Sequence, residues 1–154
     1  MKKWIVYAVG LLVVSAVWKM PFEHTDVAEL RPVELIYVTL STSGVILETD
    51  TGDVGHGDSV ADALGAMKRN ASGAVFLETA EFLLLSDGAR SLVLEMSEIL
   101  RPGCAVCVVT EKPNLREAAK YLSAHRPEIT LNDVRGGTLQ PSKLLVRREG
   151  MELK

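Results

Sequence analysis

Acidic residues and a histidine crowd one glycine-rich segment, residues 50–58 (DTGDVGHGD). Asp53, His56 and Asp58 are residue types that bind divalent cations, and carboxylates on such loops suit hard metal ions. Their spacing matches no calcium-binding loop and only one histidine is present, so they are weak candidates and a solvated connection is the simpler interpretation. The segment also precedes a predicted helix, whose amino terminus favours anions, so a small-molecule site is a further hypothesis.

Cys104 and Cys107 form a C-x-x-C pair, which at the start of a helix can be a redox centre. Here the pair lies in an apolar run, residues 104–110 (CAVCVVT), that predicts a buried strand. Residues i and i+3 of a strand point to opposite faces, so the two thiols should not meet. Two buried structural cysteines are therefore the favoured interpretation, and a thiol-redox protein remains an alternative.

Ser86, Asp87 and Gly88 follow a predicted central strand, where α/β folds often place ligand sites. They lack the G-x-S-x-G pattern of a nucleophile elbow, and neither His24 nor His125 is obviously placed as a base. A turn that leads into a helix is the simpler interpretation. We assign no catalytic, cofactor-binding or firm metal-binding residue, and we expect a protein that is not an enzyme and that uses no cofactor.

The elements that would position these residues alternate between strands and helices. A hairpin is predicted from the runs 33–40 and 45–49, which are rich in β-branched and aromatic residues around a Ser-Thr-Ser-Gly turn. Helices are predicted from Ser59, over 89–100 and from Asn114, and further strands at 82–85, 104–110 and 144–146. We therefore expect an α/β (or α+β) fold with a mixed sheet of about four or five strands and three helices packed on it.

The first 20 residues are apolar and carry only basic charges, at Lys2, Lys3 and Lys19. The uncharged run is short for a membrane span, which needs about 20 residues, but suits a short signal-anchor with aromatic residues at the interfaces. A signal peptide cut after Ala16 is the main alternative, and a buried core helix a weaker one. The residues expected to form the anchor are Trp4, Ile5, Val6, Leu11, Leu12, Val13, Val14 and Trp18.

Lysines before an apolar helix favour the cytoplasmic side, so we expect a single-pass protein with its carboxy-terminal domain outside the cytoplasm, or a secreted domain if the signal is cleaved. The predicted organisation is an anchor or signal at 1–20, a spacer at 21–32, one α/β domain at 33–147 and a flexible tail at 148–154. From Pro21 onward the chain holds 14 basic and 20 acidic residues, a composition that argues against binding nucleic acid.

Three stretches of the body resemble the amino-terminal domain of the spore-germination receptor C subunits, the Ger(x)C family. They are residues 26–30 (DVAEL) leading to 35–38 (LIYV), residues 57–64 (GDSVADAL), and residues 76–89 (FLETAEFLLLSDGA). The resemblance covers roughly residues 26–122. Members of that family are typically lipoproteins, whereas Cys104 and Cys107 are the only cysteines here, so the resemblance implies a relative held by a helix instead of a lipid.

The resemblance implies an extracytoplasmic receptor component and not an enzyme. Together with the apolar amino terminus, it predicts a membrane-anchored domain that binds other membrane or envelope proteins in a germination or sporulation complex. A small-molecule or metal-binding module that uses residues 50–58 and the Gly88 corner is the alternative hypothesis. The identity of any small-molecule ligand is left open.

Overall fold

One mixed sheet runs through the centre of the fold in the computed structural model, which describes residues 30–137, 140–147 and 150–154. The strands in these ranges are β1 (Leu30–Pro32), β2 (Leu35–Ser41), β3 (Gly44–Thr49), β4 (Val54–Gly57), β5 (Ala74–Phe76), β6 (Phe82–Ser86), β7 (Ala105–Val109), β8 (Ser142–Arg147) and β9 (Gly150–Leu153). Seven of them form the sheet, in the order β4-β3-β2-β6-β7-β8-β9, while β1 and β5 form a separate parallel pair. The inner strands β2, β6, β7 and β8 are mutually parallel, and the outer pairs β4-β3 and β8-β9 are antiparallel.

Helices lie on both faces of the sheet. They are α1 (Val60–Asn70), α2 (Val93–Ile99), α3 (Leu115–Ala124) and α4 (Leu131–Arg135). On the first face, one buried cluster joins α1, α2 and α4 to strands β2, β3, β6 and β7, and on the second face a smaller cluster joins α3 to β2, β6, β7 and β8. The mixed α/β fold that the sequence predicts is therefore confirmed, with the core divided into two layers by the sheet.

Local signals in the sequence place the hairpin and two helix starts. The β2-β3 hairpin turns at Gly44, whose φ of 111° is in a region that side chains rarely adopt. Ser59 caps α1 by accepting a hydrogen bond from the backbone N–H of Asp62, and Asn114 caps α3 through Oδ1. The residues buried by α3 are Leu115, Ala118, Ala119 and Leu122, the apolar positions that its sequence spacing predicts.

The sheet has seven strands, so the expectation of four or five is wrong. Residues 50–58 do not form a loop throughout, because Val54–Gly57 is strand β4. The expected flexible tail at 148–154 includes strand β9, in which Met151 and Leu153 alternate toward the second-face core, and Lys143 and Lys154 exchange backbone hydrogen bonds of 2.7 and 2.8 Å. The strand was not predicted because charged residues surround Met151 and Leu153, and two apolar positions are too few to show a two-residue period in the sequence.

Three other boundaries also differ from the predictions. The expected spacer at 21–32 ends in strand β1, which pairs in register with β5. The helix predicted over 89–100 is α-helical only from Val93, after a 3-10 segment over Asp87–Leu92. The chain between the helix predicted from Asn114 and the strand predicted at 144–146 contains α4, for which no helix was predicted and where Asp133 and Thr130 form a reciprocal capping box.

Candidate interaction surface

The segment with the weak metal-ligand candidates is divided by strand β4. Asp53 precedes this strand and is 9% exposed; its carboxylate accepts a hydrogen bond from the Thr51 hydroxyl at 2.8 Å. Asp58 follows the strand and is exposed. The five residue steps from Asp53 to Asp58 correspond to about 16 Å of extended chain, so their carboxylates lie at opposite ends of the strand. His56 lies between them, exposed, and opposite Ile46 of β3.

Two of the three glycines in this segment allow close packing of a helix. Gly55 and Gly57 both face α1, where a Cβ on Gly55 would overlap the carbonyl oxygen of Ala63 and a Cβ on Gly57 would lie 2.5 Å from the Cβ of Asp62. The absence of side chains at these two positions lets the helix backbone lie directly on the strand. The glycine content that suggested a ligand loop therefore has a structural cause.

Across the part of the chain that the structure describes, no group of three or more His, Cys, Asp or Glu residues is close enough to hold a metal ion. Asp50 already has hydrogen-bond partners, because its Oδ1 accepts hydrogen bonds from the backbone N–H groups of Glu34 and Leu35 at 3.2 and 3.1 Å. Asp58 lies at the strand ends that include the Gly88 corner, whereas Asp50 and Asp53 lie at the opposite strand ends. The structure thus does not bring the metal candidates together with each other or with that corner.

The two cysteines are buried on opposite faces of the sheet. Cys104 belongs to the first-face core and Cys107 to the second-face core, and both are free thiols. Burial raises the pKa of each thiol from 9.0 to about 12. Such thiols are poor nucleophiles near neutral pH, and the sheet separates them as the strand period predicts.

The corner after β6 has the properties of a turn. Asp87 pairs with Arg90 at 2.6 Å, three residues along the 3-10 segment, and Ser86 has no side-chain capping bond. His125 lies after α3 and stacks on the Tyr121 ring with centroids 4.5 Å apart. His24 lies outside the described residues.

Two of the seven strands, β3 and β4, have no described helix packed on their second face. The second-face core takes residues from β2, β6, β7, β8 and α3 but none from β3 or β4. The uncovered residues alternate along three neighbouring strands, as the registers Thr39↔Ile46, Ile46↔His56 and Glu48↔Val54 require. We call this surface the open face, formed by Thr39, Ile46, Glu48, Val54 and His56.

The open face combines an apolar centre with a charged margin. Ile46 and Val54 are half-buried, and His56 is exposed on β4, the edge strand of the sheet. Glu48 forms an ion pair with Lys112, which reaches across from the segment before α3. Among the described residues, β4 has no strand on its outer side, so its outward backbone groups can accept a further strand.

A cleft of about 370 Å³ borders this margin, between the end of β3 and the amino terminus of α3. Its charged lining residues are Glu48, Asp50, Lys112 and Arg116. Most of them already have partners, since Glu48 pairs with Lys112 and Asp50 accepts backbone hydrogen bonds. The cleft and the open face were not predicted, because the run from Val45 to Leu47 is continuously apolar and does not show that Ile46 is half-buried while its neighbours are buried.

The predicted membrane anchor, residues 1–20, lies outside the described residues. In the described part of the chain, no helix is long and apolar enough to cross a membrane. Comparisons of the chain with protein-family models, with curated proteins and with solved structures found no match.

Proposed function

We propose that this chain is a membrane-anchored, extracytoplasmic, non-enzymatic domain that binds partner proteins through its open face, as part of a spore germination or sporulation complex. The open face is the observation that carries the protein-binding part, because no helix of the described chain packs on β3 and β4 at the second face of the sheet. The membrane part rests on the apolar, lysine-flanked residues 1–20. The germination part rests on the three stretches that resemble the Ger(x)C family.

The chemistry of the open face suits a protein partner. Ile46 and Val54 give an apolar centre, and the Glu48–Lys112 pair gives a polar margin, the arrangement of core and rim that protein interfaces use. Edge strand β4 adds a row of backbone groups to which an extended segment can bind by strand addition. The open face and the free edge of β4 both belong to the end of the sheet formed by β3 and β4, so one partner can contact them together.

Site-specific photocrosslinking in host membranes tests the binding surface. A photoreactive residue at Ile46 should give a discrete higher-mass adduct, whereas the same residue at Lys120, exposed on the outer side of α3, should not. The adduct should disappear when the Val54→Asp variant places a charge at the centre of the face. Equal adducts from positions 46 and 120, or none from position 46, would remove the open face from the proposal.

Deletion of the gene in its host tests the biological part separately. Loss or delay of germinant-triggered outgrowth, or a defect in spore assembly, is the expected result. Normal spores that germinate normally would argue against a role in germination or sporulation, and the binding surface would then need a partner from another process.

The cleft beside α3 supports a second candidate function, the binding of a small molecule. Its volume of about 370 Å³ is within the range of ligand pockets. A screen of small polar metabolites should then find one that raises the melting temperature of the chain but not that of its Arg116→Ala variant, with Lys120→Ala as the control. A screen without such a metabolite would leave protein binding as the single candidate.

A further inference from the structure

An apolar groove lies at the corner of the molecule between β5, α1 and α2. Its lining includes Leu64, Val75, Leu77 and Ile99 together with Lys68, Phe76 and Glu78, and its volume is about 220 Å³. Phe76 is 41% exposed and is one of three exposed large apolar side chains among the described residues. The corner therefore presents an aromatic ring beside an apolar hollow, where a partner can cover both.

The chain joins the described structure at this same corner. Strand β1 begins at Leu30 and pairs in parallel with β5, so that Pro32 lies opposite Phe76. Paired strands are about 5 Å apart, so Phe76 lies beside the first strand that the structure describes. Leu40, which is 43% exposed, lies at the opposite end of strand β2 from this junction.

The predicted anchor brings this corner close to a bilayer. If residues 1–20 hold the chain in the membrane, the connection to Leu30 spans at most about 35 Å. A short tether of this kind gives an effective concentration on the order of millimolar, so even a weak contact with the lipid surface is populated. This step rests on the membrane anchor of the proposed function.

The corner carries both basic and acidic side chains, including Glu98, which is exposed on α2 next to Ile99. Lys68 and Arg69 are exposed in the last turn of α1, and Glu78 is the acidic residue that lines the groove. Basic residues near a membrane are attracted to anionic headgroups, and aromatic rings favour the interface between headgroups and acyl chains. Lys68 and Phe76 line the groove and Arg69 follows Lys68 at the end of α1, so basic groups and a ring are presented together at this corner.

We propose that the corner formed by Phe76, its groove, Lys68 and Arg69 is a lipid-contact surface that docks the domain on the anionic headgroups of the membrane that anchors it. Phe76 enters the interface, and the two basic residues contact the phosphates. Docking in this orientation places the junction at Leu30 against the membrane and turns the carboxyl ends of β2 and β6 away from it.

Fluorescence quenching in proteoliposomes tests this orientation. The full chain is reconstituted in vesicles of phosphatidylcholine with phosphatidylglycerol, which include a lipid that carries a quencher at the headgroup boundary. A fluorophore is attached in the Ala74→Cys variant, next to the groove, or in the Ser43→Cys variant, at the exposed β2-β3 turn. Cys104 and Cys107 are buried, so the label reacts at the introduced thiol.

Stronger quenching at position 74 than at position 43 is the expected result, and it should weaken in vesicles of phosphatidylcholine alone. The Phe76→Ser variant and the Lys68→Glu/Arg69→Glu variant should each lose this difference, the latter with about tenfold weaker docking. Leu40→Ser is the matched control, since Leu40 and Phe76 are almost equally exposed at 43% and 41%, and it should behave as the unaltered chain.

Equal quenching at positions 74 and 43 overturns the lipid-contact surface, as does a Phe76→Ser variant that behaves like Leu40→Ser. Vesicle flotation separates this failure from failure of the proposed function. A chain that floats with vesicles but shows equal quenching is anchored without docking at this corner. A chain that does not float lacks the anchor, and both proposals are then wrong.

Discussion

Replacement of Gly55 by alanine would press a methyl group into the backbone of α1. The new Cβ would overlap the carbonyl oxygen of Ala63 and lie 2.8 Å from the Cβ and 2.9 Å from the backbone nitrogen of Met67. These atoms cannot rotate away, so the helix must move off the sheet and loosen the contacts of Val60 and Met67, which are each 1% exposed. Overpacking commonly costs about 1 to 3 kcal/mol, and we expect about 3 kcal/mol or more here because the obstacle is backbone.

Urea denaturation of the purified chain in a mild detergent, followed by far-ultraviolet circular dichroism, measures this loss. Gly103→Ala is the matched control, because a Cβ there meets no atom within 4 Å and the glycine has no positive φ. Its free energy of unfolding should change by about 0.5 kcal/mol or less. A Gly55→Ala variant as stable as the Gly103→Ala variant would refute the close packing of α1 on β4, and with it the structural explanation of the glycines in residues 50–58.

Three further predictions follow from local features. Cys104 and Cys107, with pKa values of about 12, should resist thiol reagents at pH 8 in the folded chain and react on unfolding; rapid labelling in the folded state would favour the redox alternative. Because burial raises these pKa values above the unfolded value of 9.0, the free energy of unfolding should fall as the pH rises from 9 toward 12, and the fall should shrink in the Cys107→Ala variant; an unchanged slope would show that this thiol titrates alike in the folded and unfolded chain. Ser59→Ala and Asn114→Ala should each lower stability by about 1 kcal/mol in the same urea assay, and no loss in either would mean that its capping bond contributes nothing.

The parts of the fold that the sequence predicted are those with strong local signals. The hairpin at Gly44, the capped starts of α1 and α3, and the buried run at Phe82–Ser86 each depend on residues close together in the chain. The strands at both ends of the sheet were missed because their cause is distant. The glycines of β4 allow α1 to pack closely on it. Strand β9 is held by pairing with β8 and by contacts of its apolar residues with the core beneath α3.

The candidate surface was harder to predict than the core. The burial of Val45 and Leu47 follows from the strand period, but the exposure of Ile46 and Val54 depends on α3 covering only part of the second face. The order of elements along the chain does not show which strands α3, the helix between β7 and β8, covers. The cysteines were predictable because strand geometry alone sends Cys104 and Cys107 to opposite faces.

A topology experiment with tags at both ends tests the central claim most directly. The account predicts that the intact chain remains with membranes after alkaline washing, that a carboxy-terminal tag is digested by protease added from outside, and that an amino-terminal tag is protected. A chain found in the cytoplasmic fraction, or a carboxy-terminal tag protected from the protease, would contradict a membrane-anchored domain on the outer side.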